Sequence, residues 1–119
     1  MPDDQTAAQH GRTGQVAVIF AARRSGADQP GYAAAAAAMD ALAAQQPGFC
    51  CIDAARGSDG FGITVSYWAD EASAVAWRAQ PDHAAAREAG RGRWYDAYDL
   101  HVARMSRSYA WRRREGEQA

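Results

Sequence analysis

His83 and Arg87 are the residues whose types and spacing best suit chemistry. They lie four residues apart in a stretch predicted to be helical, so both side chains project from one helical face. A neutral imidazole can accept a proton near pH 7, and a guanidinium can stabilise the resulting oxyanion. We therefore predict His83 as a catalytic base or orienting donor, and Arg87 as its anion-stabilising partner. The alternatives are a histidine that hydrogen-bonds the helix start or faces solvent, and an arginine that is solvated or paired with an acid.

Large aromatic side chains surround this pair in the sequence. Trp77 precedes it, and Trp94, Tyr95 and Tyr98 follow it. Planar walls suit a flat aromatic ligand, so we predict Trp77, Trp94 and Tyr98 as substrate-binding residues. Tyr67, at the end of a predicted strand, is added because its hydroxyl could donate to a bound oxygen. The alternative for all of them is packing in the core or in a dimer contact.

Composition limits the classes of function. A chain of 119 residues with a formal net charge of −1 forms one domain and lacks the sustained basic face that nucleic acid or an anionic membrane surface requires. No apolar run reaches the roughly 20 residues of a membrane span, and the polar N-terminal residues do not resemble a signal peptide. We expect a cytoplasmic protein.

Metal and nucleotide sites have no support in the sequence. Cys50 and Cys51 are adjacent, which makes a bridge between them strained, and they lack flanking ligands for a metal. We interpret them as packing residues in a reducing compartment. Motifs typical of zinc proteases, dinucleotide-binding domains and P-loops do not occur.

The elements that would position the candidate residues follow from periodicity and from helix-breaking residues. Alternating or β-branched runs predict strands, and Asp28, Pro30 and Asp70 mark helix starts. Gly90 and Gly92 are expected to end the last helix. The predicted strands are 16–22, 49–56, 61–68 and 94–105, and the predicted helices are 30–46 and 71–89, the second interrupted at Pro81. Residues 1–14 are expected to be flexible, 15–109 to form the domain, and 110–119 to be a charged tail.

This order of elements predicts an α+β fold. Strand, helix, strand, strand, helix, strand is the ferredoxin-like βαββαβ arrangement, a four-stranded antiparallel sheet with its helices on one face. The other face would be bare. In the third strand it could carry Phe61, Val65 and Tyr67, or else Thr64, Ser66 and Trp68, because the alternation does not say which set faces the helices. A bare, partly aromatic face predicts a homodimer.

Five segments carry a resemblance to a known family. They are Gln46–Phe49, Gly60–Trp68, Ala76–Arg78, His83–Arg91 and Arg93–Tyr98. Together they resemble the antibiotic biosynthesis monooxygenase family over about residues 15–109. The resemblance implies a dimeric α+β barrel with a cavity between the sheet and the helices of each subunit.

The same resemblance implies several activities. Some members oxygenate aromatic polyketides or quinols without metal or flavin, and this is the function we predict, on a small aromatic substrate. Others degrade haem with an Asn, a Trp and a His ten residues after that Trp. Trp77 matches this Trp, but the chain has no Asn, and Arg87 occupies the histidine position. A haem-binding alternative would need His83 or His101 as the axial ligand. A non-catalytic dimer that binds a small hydrophobic molecule is the third possibility.

Overall fold

The computed structural model describes residues 11–113, which form four strands and three helices. The element order matches the predicted βαββαβ pattern, with the second helix divided in two at Pro81. The elements are β1 (Val16–Arg24), α1 (Gln29–Ala44), β2 (Phe49–Arg56), β3 (Phe61–Trp68), α2 (Glu71–Ala79), α3 (Pro81–Ala89), a five-residue π-helical turn (Gly90–Trp94) and β4 (Tyr95–Arg104).

The strands form one antiparallel sheet in the order β2-β3-β1-β4. The first strand lies inside the sheet, pairing with β3 on one side and β4 on the other. Val18 is opposite Ser66 in β3 and Val102 in β4, and this register aligns the side chains of the three strands on common faces. The predicted ferredoxin-like α+β fold is confirmed.

The helices begin where the sequence places caps. The Asp28 carboxylate accepts the Gly31 N–H at 3.1 Å, and the Asp70 carboxylate accepts the Ser73 N–H at 2.8 Å. Gly48 links α1 to β2 with φ of +83°, and a Cβ at this position would collide with the Ser73 hydroxyl. Glycine is therefore required here for both its backbone conformation and its size.

The core lies between one face of the sheet and the helices. Trp68 is fully buried, and it packs with Val16, Trp77, Ala43 and Ala74. In β3 the side chains beneath the helices are therefore Thr64, Ser66 and Trp68. The more apolar set, Phe61, Ile63, Val65 and Tyr67, lies on the opposite face, where Phe61 and Ile63 are exposed.

The segment after α3 differs from the prediction. Gly90 and Gly92 were expected to break the helix, but the chain continues through Trp94 as a π-helical turn. Gly90 is buried with a helical φ of −62°, and a Cβ there would lie 2.7 Å from the Tyr95 ring. This turn therefore requires glycine at position 90 for its small size and not for its tendency to break helices.

The ends of the described chain pack together beside the sheet. In the predicted flexible segment, Gly14 donates to the Met105 carbonyl at 2.8 Å, and Arg12 N–H donates to the Ser108 hydroxyl at 2.9 Å. Of the predicted charged tail, residues 110–113 have no regular secondary structure, while 1–10 and 114–119 lie outside the described residues. No helix within 11–113 is long and apolar enough to cross a membrane. Both cysteines are free thiols.

Candidate functional site

A cavity of about 320 Å³ lies between the sheet and the helices. The sheet contributes side chains such as Val18, Phe20 and Thr64, and all three helices contribute to the remaining walls. The lining is largely apolar and aromatic, with a few polar and charged groups. Sites for small organic molecules have this composition and begin at roughly 300 Å³.

His83 lies flat against Trp77 in the wall of this cavity. The two ring centroids are 4.0 Å apart and the planes differ by 11°. His83 Nδ1 is 2.9 Å from the Trp77 carbonyl oxygen, and the Gln80 side chain accepts the His83 backbone N–H at 2.8 Å. Because a carbonyl oxygen can only accept, Nδ1 of a neutral His83 carries the proton and Nε2 is the basic nitrogen. The bond from the His83 backbone N–H to Gln80 is a hydrogen bond at the start of α3, as the alternative expected, whereas the ring bond to the Trp77 carbonyl fixes the tautomer.

The surroundings of His83 favour its neutral form. Burial lowers the pKa of His83 below its ordinary value of 6.5. The hydrogen bond to the Trp77 carbonyl opposes that change, and the positive charges of Arg87 and Arg78 add to it. At neutral pH the imidazole is therefore unprotonated at Nε2 and able to accept a proton.

Arg87 lies one helical turn after His83 and is half-buried in the same cavity wall. One of its NH groups donates to the Arg78 carbonyl at 3.2 Å. Among residues 11–113, the ion pairs do not include Arg78 or Arg87. Because none of the acids in the described part of the chain forms an ion pair with it, the Arg87 guanidinium can interact with an anion in the cavity.

Aromatic rings form the opposite end of the cavity. Tyr95 contacts Phe20 edge to face at 5.3 Å, Tyr98 packs on Phe20 at 5.0 Å, and Tyr32 meets Trp94 at 6.1 Å. Tyr32 and Trp94 are buried. The Tyr95–Phe20 and Tyr32–Trp94 contacts are close to perpendicular, and the Tyr98–Phe20 contact is tilted by 44°. All five aromatic residues line the cavity, as expected for a site that takes a planar molecule.

Asp28 holds Trp94 in this arrangement. One carboxylate oxygen of Asp28 accepts from Trp94 Nε1 at 3.4 Å and from Arg93 at 3.3 Å, while the other caps α1. The Trp94 hydrogen bond is the largest cause of a lowered Asp28 pKa, followed by the bond from Gly31. The indole N–H of Trp94 is already used, so this ring serves as a wall rather than as a donor to ligand.

Tyr98 is held by a charged side chain. Arg91 Nε donates to the Tyr98 hydroxyl at 2.7 Å, and an NH group of Arg91 lies 3.1 Å from the Glu88 carboxylate. The Arg91 charge is therefore paired and lies outside the set of cavity-lining residues.

Tyr67 does not belong to this cavity. It pairs with Ala17 on the sheet face that points away from the helices, and the Arg12 guanidinium lies 4.5 Å from its ring centroid. Strand alternation is the reason: Thr64, Ser66 and Trp68 take the helix-facing positions, so Tyr67 cannot. His101 pairs with Ile19, is exposed, and also lies on the far face. Trp77, His83, Arg87, Trp94 and Tyr98 do line one cavity.

Most residues that line the cavity were not among the predicted site residues, and three of them matter most for the site. Phe20 and Tyr32 line the aromatic end, and Arg56 reaches it from the end of β2. Phe20 shares a strand face with Val16 and Val18, and Tyr32 lies in the first turn of α1 on its inward side. These positions could have been found from alternation and helical spacing, once the helix-facing side of the sheet was known.

Within residues 11–113, no cluster of three or more His, Cys, Asp or Glu side chains could hold a metal ion. The reactive groups that the cavity does contain are an imidazole, guanidinium groups, phenols and the carboxylates of Asp40 and Glu71.

The family model for antibiotic biosynthesis monooxygenases matches residues 15–89. The uncharacterized protein YqjZ of Bacillus subtilis (strain 168) is 45% identical over 91 residues, which cover 76% of this chain and 79% of YqjZ.

Solved structures share the fold at low identity. SnoaB, a cofactor-independent oxygenase from Streptomyces nogalater, is 20% identical with a TM-score of 0.65, over 88% of this chain and 100% of SnoaB. Rv0793 from Mycobacterium tuberculosis is 16% identical with a TM-score of 0.66, over 75% of this chain and 92% of Rv0793.

Proposed function

The chain belongs to the antibiotic biosynthesis monooxygenase family, and from that premise we propose that it is a cofactor-independent monooxygenase of a small phenolic or quinol-like aromatic. One observation carries the proposal: a neutral imidazole, His83, is fixed in one tautomer against Trp77 in the wall of an aromatic cavity. The description of SnoaB as a cofactor-independent oxygenase is consistent with it.

The proposed reaction begins with proton transfer. A substrate hydroxyl, or an equally acidic C–H group, gives its proton to His83 Nε2, and the resulting anion is electron-rich enough to pass an electron to dioxygen. Oxygen and substrate radicals then combine, and the adduct loses water. Overall, a substrate RH₂ and O₂ give RO and H₂O, so the substrate loses four electrons and dioxygen gains four.

The protein's part is to bind, orient and desolvate. Trp94 and Tyr98 would stack against or border the substrate rings. Trp77 would border them with its edge, because His83 and Trp68 cover its two faces. Exclusion of water would strengthen each electrostatic contact. Arg87 would stabilise the anion formed when His83 takes the proton. The Arg87 charge also lowers the pKa of His83 and so favours the neutral base. One guanidinium would thus both favour the basic form of His83 and stabilise the substrate anion.

A homodimer is part of the proposal. Phe61 and Ile63 remain 37% and 40% exposed on the sheet face opposite the helices. Val65 and Tyr67 continue the same apolar surface. A second copy of the sheet packed against it would bury these side chains and complete an α+β barrel. The free thiols Cys50 and Cys51 suit the cytoplasm, where we place the protein.

Haem binding is the second candidate, since Trp77 and a histidine meet in the cavity. His83 is the available axial ligand, because His101 lies on the far sheet face. Two residues implied for haem degradation are nevertheless absent: the chain has no Asn, and Arg87 stands ten residues after Trp77. A haemin titration distinguishes the candidates, because a saturable Soret shift followed by loss of that band with reductant in air would favour haem degradation.

Oxygen uptake tests the main proposal. The protein is assayed with a panel of phenols and quinols, as wild type, His83→Gln and the control Asp82→Asn, which changes an exposed residue outside the cavity lining. We expect consumption of oxygen, a fall in kcat of roughly 10²- to 10⁴-fold for His83→Gln, and little change for the control. Turnover that is unaffected in His83→Gln would remove this base from the mechanism. Binding of the panel without any oxygen uptake would favour the non-catalytic binding protein.

A further inference from the structure

Two guanidinium groups flank Tyr32, which lies at the aromatic end of the cavity; Arg56 lines the cavity, and Arg24 lines a small void beside it. Arg24, at the end of β1, has its Cζ 4.8 Å from the Tyr32 ring centroid, and Arg56, at the end of β2, has its Cζ 5.2 Å from the same centroid. Tyr32 is buried, with 8% of its surface exposed. Two positive charges from different strands are thus held on one ring.

Neither charge is neutralised by an acid within residues 11–113. The four ion pairs of that region use Arg23, Arg91, Arg93 and Arg104. Arg24 donates to the neutral Gln29 side chain at 2.8 Å. The nearby Asp28 carboxylate is occupied by Trp94, Arg93 and the start of α1. The positive charges of Arg24 and Arg56 are therefore available to a ligand.

Phenolic hydroxyls complete this end of the cavity. Burial raises the pKa of Tyr95, the neighbouring Tyr32 hydroxyl raises it further, and the charges of Arg56 and Arg24 offset part of the effect. Tyr95 therefore stays protonated at neutral pH and can donate a hydrogen bond to an anion. A small void beside the main cavity is lined by Arg24, Arg56, Tyr32 and Tyr95 together.

We propose that Arg24, Arg56, Tyr32 and Tyr95 form a subsite that binds a carboxylate carried by the aromatic substrate. Guanidinium groups and neutral phenols all donate to such a group, and the two arginines supply the charge that a neutral ligand would not need. The inference rests on the proposed function, because it takes this cavity as the substrate site. The substrate class becomes a hydroxyaryl carboxylic acid.

The location of the subsite fixes the orientation of the substrate. Trp77 packs with Val16 near the start of β1, whereas Tyr95 packs on Phe20, four residues farther along the strand. At the rise of an extended strand, these positions are roughly 13 Å apart. A carboxylate bound at Arg56 would therefore direct the opposite, hydroxyl-bearing end of a multi-ring substrate towards His83.

Equilibrium binding tests the subsite without requiring turnover. A hydroxynaphthoic acid and its methyl ester are titrated against the protein, with tryptophan fluorescence as the signal. The variants are Arg56→Gln and Arg24→Gln. The control is Arg23→Gln, whose guanidinium lies near Asp59 and the Phe61 ring instead of Tyr32. Thermal melting of each variant establishes that it is folded at the titration temperature.

We expect wild type to bind the acid roughly tenfold more tightly than the ester, with the preference falling at high salt. Arg56→Gln and Arg24→Gln should weaken binding of the acid and leave that of the ester unchanged, while Arg23→Gln keeps the preference. Equal affinity for acid and ester, failure of both to bind, or a parallel loss for both in Arg56→Gln would overturn the subsite.

Failure of the subsite and failure of the proposed function are distinguishable. A clear acid preference without oxygen uptake on any phenol would leave a carboxylate-binding protein that is not an oxygenase. Oxygen uptake on neutral quinols, with no acid preference in binding, would retain the oxygenase and remove the subsite.

Discussion

The imidazole of His83 and the indole of Trp77 are nearly parallel, with centroids 4.0 Å apart, and the Trp77 carbonyl oxygen lies 2.9 Å from His83 Nδ1. Trp77 thus contacts the candidate base through both its ring and its backbone. On its other side Trp77 stacks on the fully buried Trp68, with centroids 5.8 Å apart. The position of the base therefore depends directly on the packing of the core.

Truncation of Trp77 should be costly. Trp77→Ala removes a buried ring that contacts both Trp68 and His83, and we expect the free energy of unfolding to fall by about 3–5 kcal/mol. Trp111→Ala is the matched control, because Trp111 is 70% exposed and the same change should stay within about 0.5 kcal/mol. Urea denaturation measures both. Similar values for the two variants would show that the Trp77 stack contributes little to stability.

Stability should also depend on the protonation of His83. Its pKa is lowered in the folded state, chiefly by burial, so below the unfolded value of 6.5 the unfolded chain binds more protons. The contribution of neutral His83 to the free energy of unfolding is therefore fully present above pH 6.5. It is lost as the pH falls from 6.5 through the lower pKa of folded His83.

Denaturation midpoints measured between pH 7.5 and about 5 check whether stability falls as the pH falls. Wild type should lose more stability over this range than His83→Gln, because glutamine cannot be protonated. The rate should follow the same group, with kcat/KM falling on the acid side at a pH below 6.5. Parallel pH dependence of stability in the two proteins would contradict the assignment.

Gly90 should tolerate no side chain, whereas Gly92 should. A Cβ at Gly90 would lie 2.7 Å from the Tyr95 ring, while a Cβ at Gly92 meets nothing within 4 Å. We expect Gly90→Ala to cost about 1–3 kcal/mol of stability through overpacking and to displace Tyr95. Gly92→Ala should be near neutral. If Gly90→Ala matched Gly92→Ala in melting temperature and in affinity for the hydroxynaphthoic acid, Tyr95 would not be confined as described.

The sequence predicted the elements and the topology, because these depend on local signals. Asp28 and Asp70 were predicted as caps and are caps, and strands Phe49–Arg56 and Phe61–Trp68 have the predicted bounds. Such signals act within a few residues, so they do not depend on how the rest of the chain packs.

The facing of β3 was not predictable in the same way. One face of β3 carries Phe61, Val65 and Tyr67, and the other carries Thr64 and Trp68. Each face therefore contains at least one large aromatic side chain. Hydrophobicity cannot distinguish a face covered by helices from one suited to a second subunit. The same ambiguity explains why Tyr67 was predicted in the cavity. Predicting Arg56 in the cavity requires the same knowledge, because a side chain at the end of a strand reaches the cavity only if it lies on the sheet face that the helices cover.

The uncovered sheet face leads to the last prediction, the homodimer. Ile63 is 40% exposed at the centre of an apolar surface that includes Phe61 and Val65. A carboxylate placed there would have to be buried without a partner in a sheet-to-sheet interface. Ala85→Asp is the control, because Ala85 is exposed on α3 and outside the cavity. Light scattering should give twice the 12.8 kDa chain mass for wild type and Ala85→Asp, and the single chain mass for Ile63→Asp. A monomeric wild type, or a dimeric Ile63→Asp, would mean that this face does not join two subunits.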